Sequence, residues 1–406
     1  MSCTLISLLL HVMSIADDRW NAYAMVGVPL HAYPPSFLVL AALLASISAR
    51  FPQQRSCIFL VSWAVIFHSI RMYPSMHGIW TFGEWTVVTC FLAIAFAEIV
   101  SLTVIELDQT CHVVAAAGTL GCLVACGLSA KVPLLVVRLA LLVITPLIFV
   151  EGVLIWHDFE MPTPKCFSWL VGFLLDCENP SSACIPRVAW TVYWFVVVGM
   201  MAPISAHPKF ATLAPAVVLR KWFHLVAILL FTPVTLLAPQ LMGLSYAIAL
   251  CVLMVLECLR PHFPRSLQDF YLTFLDTDKD KPGCVCVSHM SLIGGCAFPL
   301  WFSVCVGEES RLLKLWGVAV LGIGDSFGAI VGSFCGKTKW GRGRKRSLEG
   351  SLAMFLSLGT CCTFLGKNWL ILAVFATFLE AFTSQIDNLV LPLAGAGLLV
   401  FVSLKL

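Results

Sequence analysis

The stretch LWGVAVLGIGDSFGAIVGSFCGKTKWGRGRKRSLEG, residues 315–350, holds the residue types best suited to chemistry. Its apolar part, 315–335, carries one charge, Asp325, near the middle. An ionised carboxylate at that depth in a bilayer costs about 2.5–3.5 kcal/mol on insertion scales unless a cation, a metal or water meets it. Asp325 is therefore a candidate general base or metal ligand, and a structural pairing with a neighbouring helix is the plain alternative. Directly afterwards six cations, Lys337, Lys339, Arg342, Arg344, Lys345 and Arg346, fall within ten residues that contain no acid. Such a cluster can be a topology determinant drawn to anionic headgroups. It can equally be a cradle for a polyphosphate, in which Gly336, Gly341 and Gly343 keep backbone N–H groups accessible while Lys337, Lys339, Lys345 and Arg346 neutralise phosphate charge. The residues that follow favour the cradle. Ser347 is placed to cap a helix that starts there and runs through Gly350, its N-terminus adds an anion-binding dipole, and Glu349 is near enough to ligate a metal. Phosphoryl transfer needs little else from a protein, since charge neutralisation, metal and in-line positioning supply most of the catalysis.

Two nucleotide motifs fail on spacing. GSFCGKT, 332–338, is one residue short of GxxxxGK[ST], and GIGDSFG, 322–328, is one residue too long for GxGxxG. Neither follows a strand, which both mechanisms require. Gly324, Gly328, Gly332 and Gly336 recur every four residues and form one smooth helical ridge. The ridge suits close helix packing, and it also suits approach of a ligand to the backbone beside Asp325.

Other charged groups are candidates to support the site. RKWFH, 220–224, puts Arg220 and His224 one helical turn apart, next to Lys221. Glu257 and Arg260, spaced i and i+3, read as an intrahelical pair. Asp269, Asp276, Asp278 and Asp280 resemble part of a calcium loop without its Gly and final Glu, so they read as a solvated loop. Glu380, Asp387 and Asn388 make the last polar break acidic.

These groups must be positioned by membrane helices. Of the 406 residues 60% are hydrophobic and 12% charged, and the mean hydropathy is +0.93. A soluble protein carries about twice that charge fraction. The expected fold is all-α, a polytopic bundle of roughly 12 to 14 transmembrane helices at about 20 residues each. Apolar runs fall near 34–49, 56–70, 85–106, 111–128, 132–156 and 188–206, then 222–238, 241–258, 285–305, 315–335, 350–365, 368–380 and 389–404. Two regions follow: a nearly neutral multi-span region, 1–214, and a region with concentrated polar breaks, 215–406. If each run spans once, twelve of the sixteen Lys and Arg after position 215 lie on one side, which the positive-inside rule assigns to the cytosol. Most of the eighteen cysteines sit inside apolar runs and read as small buried hydrophobes. The loop with Cys166, Cys177 and Cys184 is the one place for a disulfide, if it faces an oxidising lumen. The N-terminus lacks a basic n-region and a clear cleavage site, so no removed signal peptide is expected.

GDSFGAIVGSFCGKTKWGRGRKRSLEGS, with RKWFH, the segment around Ser288 and His289, and LEAFTSQIDNLVLPL, resembles the dolichol kinase branch of the polyprenol kinase and CTP transferase families over residues 215–406. The resemblance implies a multi-pass endoplasmic reticulum enzyme with cytosolic catalytic loops, which uses CTP and a divalent metal, Mg2+ or Ca2+, to convert dolichol to dolichyl phosphate. That product is the carrier lipid of protein glycosylation. It assigns CTP binding to Gly336–Gly350, matches a GD[ST] motif to Gly324, Asp325 and Ser326, and matches a DN pair to Asp387 and Asn388. On this reading Asp325, Glu349 and Asp387 are the catalytic acids, and Asp325 and Glu349 the metal ligands. The expected partners are dolichol or another polyprenol, CTP and the bilayer, and no nucleic acid. A phospholipid cytidylyltransferase and a transporter with Asp325 as an ion relay are the competing readings.

Overall fold

The computed structural model describes residues 110–129, 132, 134–156, 164–177, 185–207, 216–264, 287–306, 310–341, 346–365, 369–382 and 387–403. Among them are eleven helices and no strand. The expected runs at 34–49, 56–70 and 85–106 lie outside the described residues, so the count of 12 to 14 spans is not reached here. Five helices are long and apolar enough to cross a membrane. Contacts divide the chain into two compact units, with the described helices falling within 102–280 and within 281–406.

The first of these units holds α1 (Thr110–Ser129), α2 (Leu135–Trp156), α3 (Lys165–Leu175), α4 (Arg187–Ala206), α5 (Ala216–Leu237) and α6 (Pro239–Leu259). Helices α1 and α6 run parallel. The Cys111 thiol reaches the Gln240 carbonyl at 3.4 Å and the Cys122 thiol the Cys251 carbonyl at 3.6 Å, the same sequence offset at both ends. Both thiols are buried and neither is disulfide-bonded, as their apolar setting leads one to expect. Helices α2 and α4 bury little of their length and expose Val136, Ile148, Phe195 and Val196, the inverse of a soluble helix. That is how a lipid-facing span looks, since lipid tails are as apolar as the side chains.

The second unit holds α7 (Val287–Val306), α8 (Arg311–Cys335), α9 (Leu348–Leu365), α10 (Trp369–Phe382) and α11 (Asp387–Ser403). Its centre is Trp316, fully buried. Gly395 makes room for that indole, because a Cβ there would overlap Trp316 Nε1. Pro392 lies inside α11. Proline has no N–H to give, so the carbonyl of Asn388, four residues earlier, loses its helical donor. Gly295 on α7 lets the backbones meet at that spot, since its Cβ would overlap Asn388 O. Glycine and proline thus set how α7, α8 and α11 cross.

Candidate functional site

Helix α8 is not uniform. Between two α-helical ends, residues Val318–Asp325 form a π-helix of eight residues, and every one of them except Ile323 is buried. At its end the Ser326 hydroxyl donates to Leu321 O at 3.4 Å, giving that carbonyl a side-chain donor. Lengths of π-helix inside an α-helix are uncommon and cluster at functional positions. This one ends at Asp325, which is 5% exposed, with Ser326 at 7%.

The glycine ridge resolves in favour of packing. Gly324 faces Met354 and Leu358 of α9, Gly328 faces Gly350 O and Met354, and Gly332 faces Ser347 and Gly350. A Cβ on Gly350 would lie 2.7 Å from Gly328 O, so the two backbones touch. With α9 seated along the ridge, that face of α8 is filled by protein.

The segment joining α8 to α9 folds back on itself as a short hairpin. Lys339 and Ser347 pair in antiparallel fashion, Leu348 N–H donates to Thr338 O at 2.8 Å and Trp340 N–H to Arg346 O at 3.4 Å. Ser347 caps α9 as expected, its hydroxyl accepting Gly350 N–H at 3.2 Å. Glu349, in the first turn, accepts the backbone N–H of Thr338 with both carboxylate oxygens, at 3.0 and 3.2 Å. Trp340 donates from Nε1 to Ser351 Oγ at 2.8 Å and packs its ring on Phe382 of α10, centroids 5.2 Å apart. The hairpin is therefore fastened to both α9 and α10. Lys337, Lys339 and Gly341 are exposed, and Gly336 is half-buried. Arg342, Gly343, Arg344 and Lys345 lie outside the described residues.

Arg346 ties this hairpin to the other helix ends. Its Nε meets Glu380 Oε1 at 2.9 Å and its Nη2 meets Asp387 Oδ2 at 3.0 Å. Its Nη1 also donates to the Glu380 carbonyl. Burial by itself would lower the guanidinium pKa, but the charges of Glu380, Asp387 and Asp325 outweigh it and hold the pKa above its ordinary value. Two carboxylates, from α10 and α11, thus pair with one guanidinium, and the charge of Asp325 on α8 acts on it as well. Arg346 was expected to meet phosphate. In this structure it meets acids. Glu380, noted in sequence only as part of an acidic break, proves to be the partner that Nε selects; no local pattern pointed from one to the other. Asn388 donates its backbone N–H to Asp387 Oδ1 at 3.2 Å, at the start of α11.

The remaining expected residues belong to the other unit. Arg220, Lys221 and His224 fall in α5, with Lys221 half-buried and His224 6% exposed. Glu257 and Arg260 form the expected i,i+3 pair at 2.8 Å. Cys177 is disulfide-bonded while Cys166 is free, so the bridge excludes Cys166; Cys184 lies outside the described residues. Asp269, Asp276, Asp278 and Asp280 also lie outside them. Among the described residues, no three His, Cys, Asp or Glu side chains converge closely enough to hold a metal ion.

Comparison with known proteins supplies what the geometry leaves open. A dolichol kinase of Arabidopsis thaliana is 31% identical over 260 residues, 60% of this chain and 44% of that protein. A dolichol kinase of Schizosaccharomyces pombe is 28% identical over 249 residues, 55% of this chain and 48% of the other. Over more than half of its length the chain is thus similar to dolichol kinases. The human dolichol kinase is 27% identical over 256 residues, again 55% of this chain and 46% of its own. The chain spans about half the length of the curated relatives it matches. No family model matches it, and no solved structure does.

Proposed function

We propose that this chain phosphorylates dolichol at the expense of CTP, giving dolichyl monophosphate for protein glycosylation, and that residues 215–406 form the catalytic region. The observation that carries the reading is the similarity to several dolichol kinases, taken together with a cation-rich hairpin anchored through Arg346 to Glu380 and Asp387. On this reading the exposed Lys337 and Lys339, with Lys345 and the glycines of 336–350, take the triphosphate. Asp325 orients or deprotonates the dolichol hydroxyl, a role suited to a carboxylate buried where the lipid alcohol arrives. Arg346 supports the site by holding Asp387 and Glu380 in place.

A divalent metal, Mg2+ or Ca2+, fits this donor set in one way. Hard cations take carboxylate oxygens, and Mg2+ characteristically uses one or two of them plus substrate phosphates. Asp325 and Asp387 are the residues that would hold it. Both Glu349 oxygens already accept Thr338 N–H, which suits Glu349 better to bracing the hairpin. The ion would neutralise charge on the transferring phosphoryl group.

The proposed setting is the endoplasmic reticulum membrane with the hairpin facing the cytosol. Support comes from the disulfide at Cys177. One span, α4, separates it from Arg220 and Lys221. A disulfide belongs in the oxidising lumen, which leaves those cations on the cytosolic side, as the positive-inside rule does. The deciding experiment gives membranes containing the full chain CTP labelled at the gamma phosphate, with Mg2+, and with or without dolichol. Dolichol-dependent label in lipid is expected. Incorporation of cytidine would indicate a cytidylyltransferase, and solute movement across vesicles without lipid labelling a transporter.

A further inference from the structure

The Pro- and Cys-rich loop between α2 and α4 reads in sequence as extramembranous with room for a re-entrant piece, and α3 within it is an apolar helix, KCFSWLVGFLL, held at both ends by charges from the flanking spans. At its start the Glu151 carboxylate, five residues inside α2, accepts Lys165 N–H at 2.8 Å and Cys166 N–H at 2.7 Å. At its end Arg187, the first residue of α4 and 5% exposed, donates to Phe173 O at 3.1 Å and lies 4.2 Å over the Phe173 ring. The same guanidinium meets Asp176 at 3.4 Å and Gln240 Oε1 at 3.0 Å. A helix leaves N–H groups unsatisfied at its start and carbonyls at its end, and in lipid these have no water to turn to. Here an anion takes the first and a cation the second, which also matches the sign of the helix dipole.

The two faces of α3 differ in what they touch. Trp169 is buried and stacks on Phe173, centroids 5.1 Å apart. Phe167, Leu170, Val171 and Leu175, at i, i+3, i+4 and i+8, are exposed by 37–66%. Eleven residues make about 16 Å of helix, roughly half the hydrocarbon thickness, so α3 cannot cross. An apolar outward face on a helix whose first N–H groups and Phe173 carbonyl are met by charges from the neighbouring spans is unsuited to water.

We infer that α3 is an interfacial helix, lying within one leaflet on the side of the Cys177 disulfide, with lipid acyl chains covering Phe167, Leu170, Val171 and Leu175. It braces α2 against α4 and seats the loop in the membrane. The inference is independent of catalysis. Its test places a genetically encoded fluorescent amino acid at Phe167, Leu170 or Leu175 of the full chain, in phosphatidylcholine vesicles that carry nitroxide lipids labelled either near the headgroup or near the chain end. All three probes are expected to be quenched several-fold more by the shallow nitroxide than by the deep one, and little by aqueous iodide. Stronger quenching by the deep nitroxide at either end would make α3 steeply re-entrant. Quenching by iodide alone would make it a water-exposed loop, and protection from both quenchers would mean another protein covers it. Any of these three outcomes overturns the inference. Because three exposed positions are probed, loss of one variant to misfolding leaves the result intact.

Discussion

Replacing Arg346 by Gln should destabilise the unit around α8–α11 by about 2 kcal/mol. The side chain is 26% exposed, Glu380 15% and Asp387 25%, so the cluster lies between the buried and surface extremes. Removing one partner of a fully buried pair costs about 3–5 kcal/mol, because it strands the opposite charge. An exposed pair is worth at most about 1 kcal/mol. Here two carboxylates would be left without their cation near the ends of α10 and α11, and the hairpin would lose its tie to α11 while keeping Trp340 on Phe382 of α10. At about 2–4 °C per kcal/mol the midpoint should fall roughly 4–8 °C. A thiol-reactive dye would read it, since the buried Cys296 and Cys362 become reactive only on unfolding. Arg346→Lys should recover part of the loss, because a lysine keeps the charge but cannot fork between two carboxylates. Glu380→Gln in the Arg346→Gln background should recover part as well, by removing one stranded charge. Raising the pH is no substitute for these variants: the neighbouring acids raise the guanidinium pKa, so Arg346 keeps its charge at any pH below that value. An Arg346→Gln protein as stable as the parent, or one destabilised further by Glu380→Gln, would refute the reasoning.

Four further outcomes are expected. Asp325→Asn should lower dolichol-dependent transfer of the CTP gamma phosphate by about 10²–10⁴-fold with the protein still inserted, as loss of a general base does; near-normal turnover would remove Asp325 from the chemistry. Lys337→Ala with Lys339→Ala, both exposed, should raise the KM for CTP more than it lowers kcat, and an unchanged KM would return these lysines to a topological role. Gly350→Ala should cost about 1–3 kcal/mol by pushing α9 off Gly328, whereas Gly199→Ala, with nothing within 4 Å, should be neutral or mildly stabilising, both read as the dye midpoint. Ser347→Ala should cost about 1 kcal/mol by uncapping α9, and Ser347→Asp should retain most of that stability in the same assay.

Much of the helical outline was legible from apolar run length. The run expected at 241–258 became Pro239–Leu259, and that at 389–404 became Asp387–Ser403. Both follow from local chemistry, because a helix in lipid must satisfy every backbone group within itself and so shows its length directly in the sequence. Ser347 was legible for the same reason, as a cap acts over three residues. Helix α3 was not, since eleven apolar residues give no spanning signal and its stability rests on Glu151 and Arg187, 14 residues away from the atoms they bind.

The division at the candidate site has the same cause. Residue type and spacing alone established a lone acid in an apolar span, a cation-rich loop after it and a capped helix beyond. Which acid would meet which cation was a matter of how α8, α10 and α11 cross. Glu380 is 34 residues from Arg346 and Asp387 is 41, distances over which no helical period carries information. The glycine ridge favoured packing as a pattern while leaving room for ligand approach, and the seating of α9 on Gly328 and Gly332 filled it. Local backbone chemistry is written along the chain, but the pairing of charges across helices is set by packing geometry that the linear order does not contain.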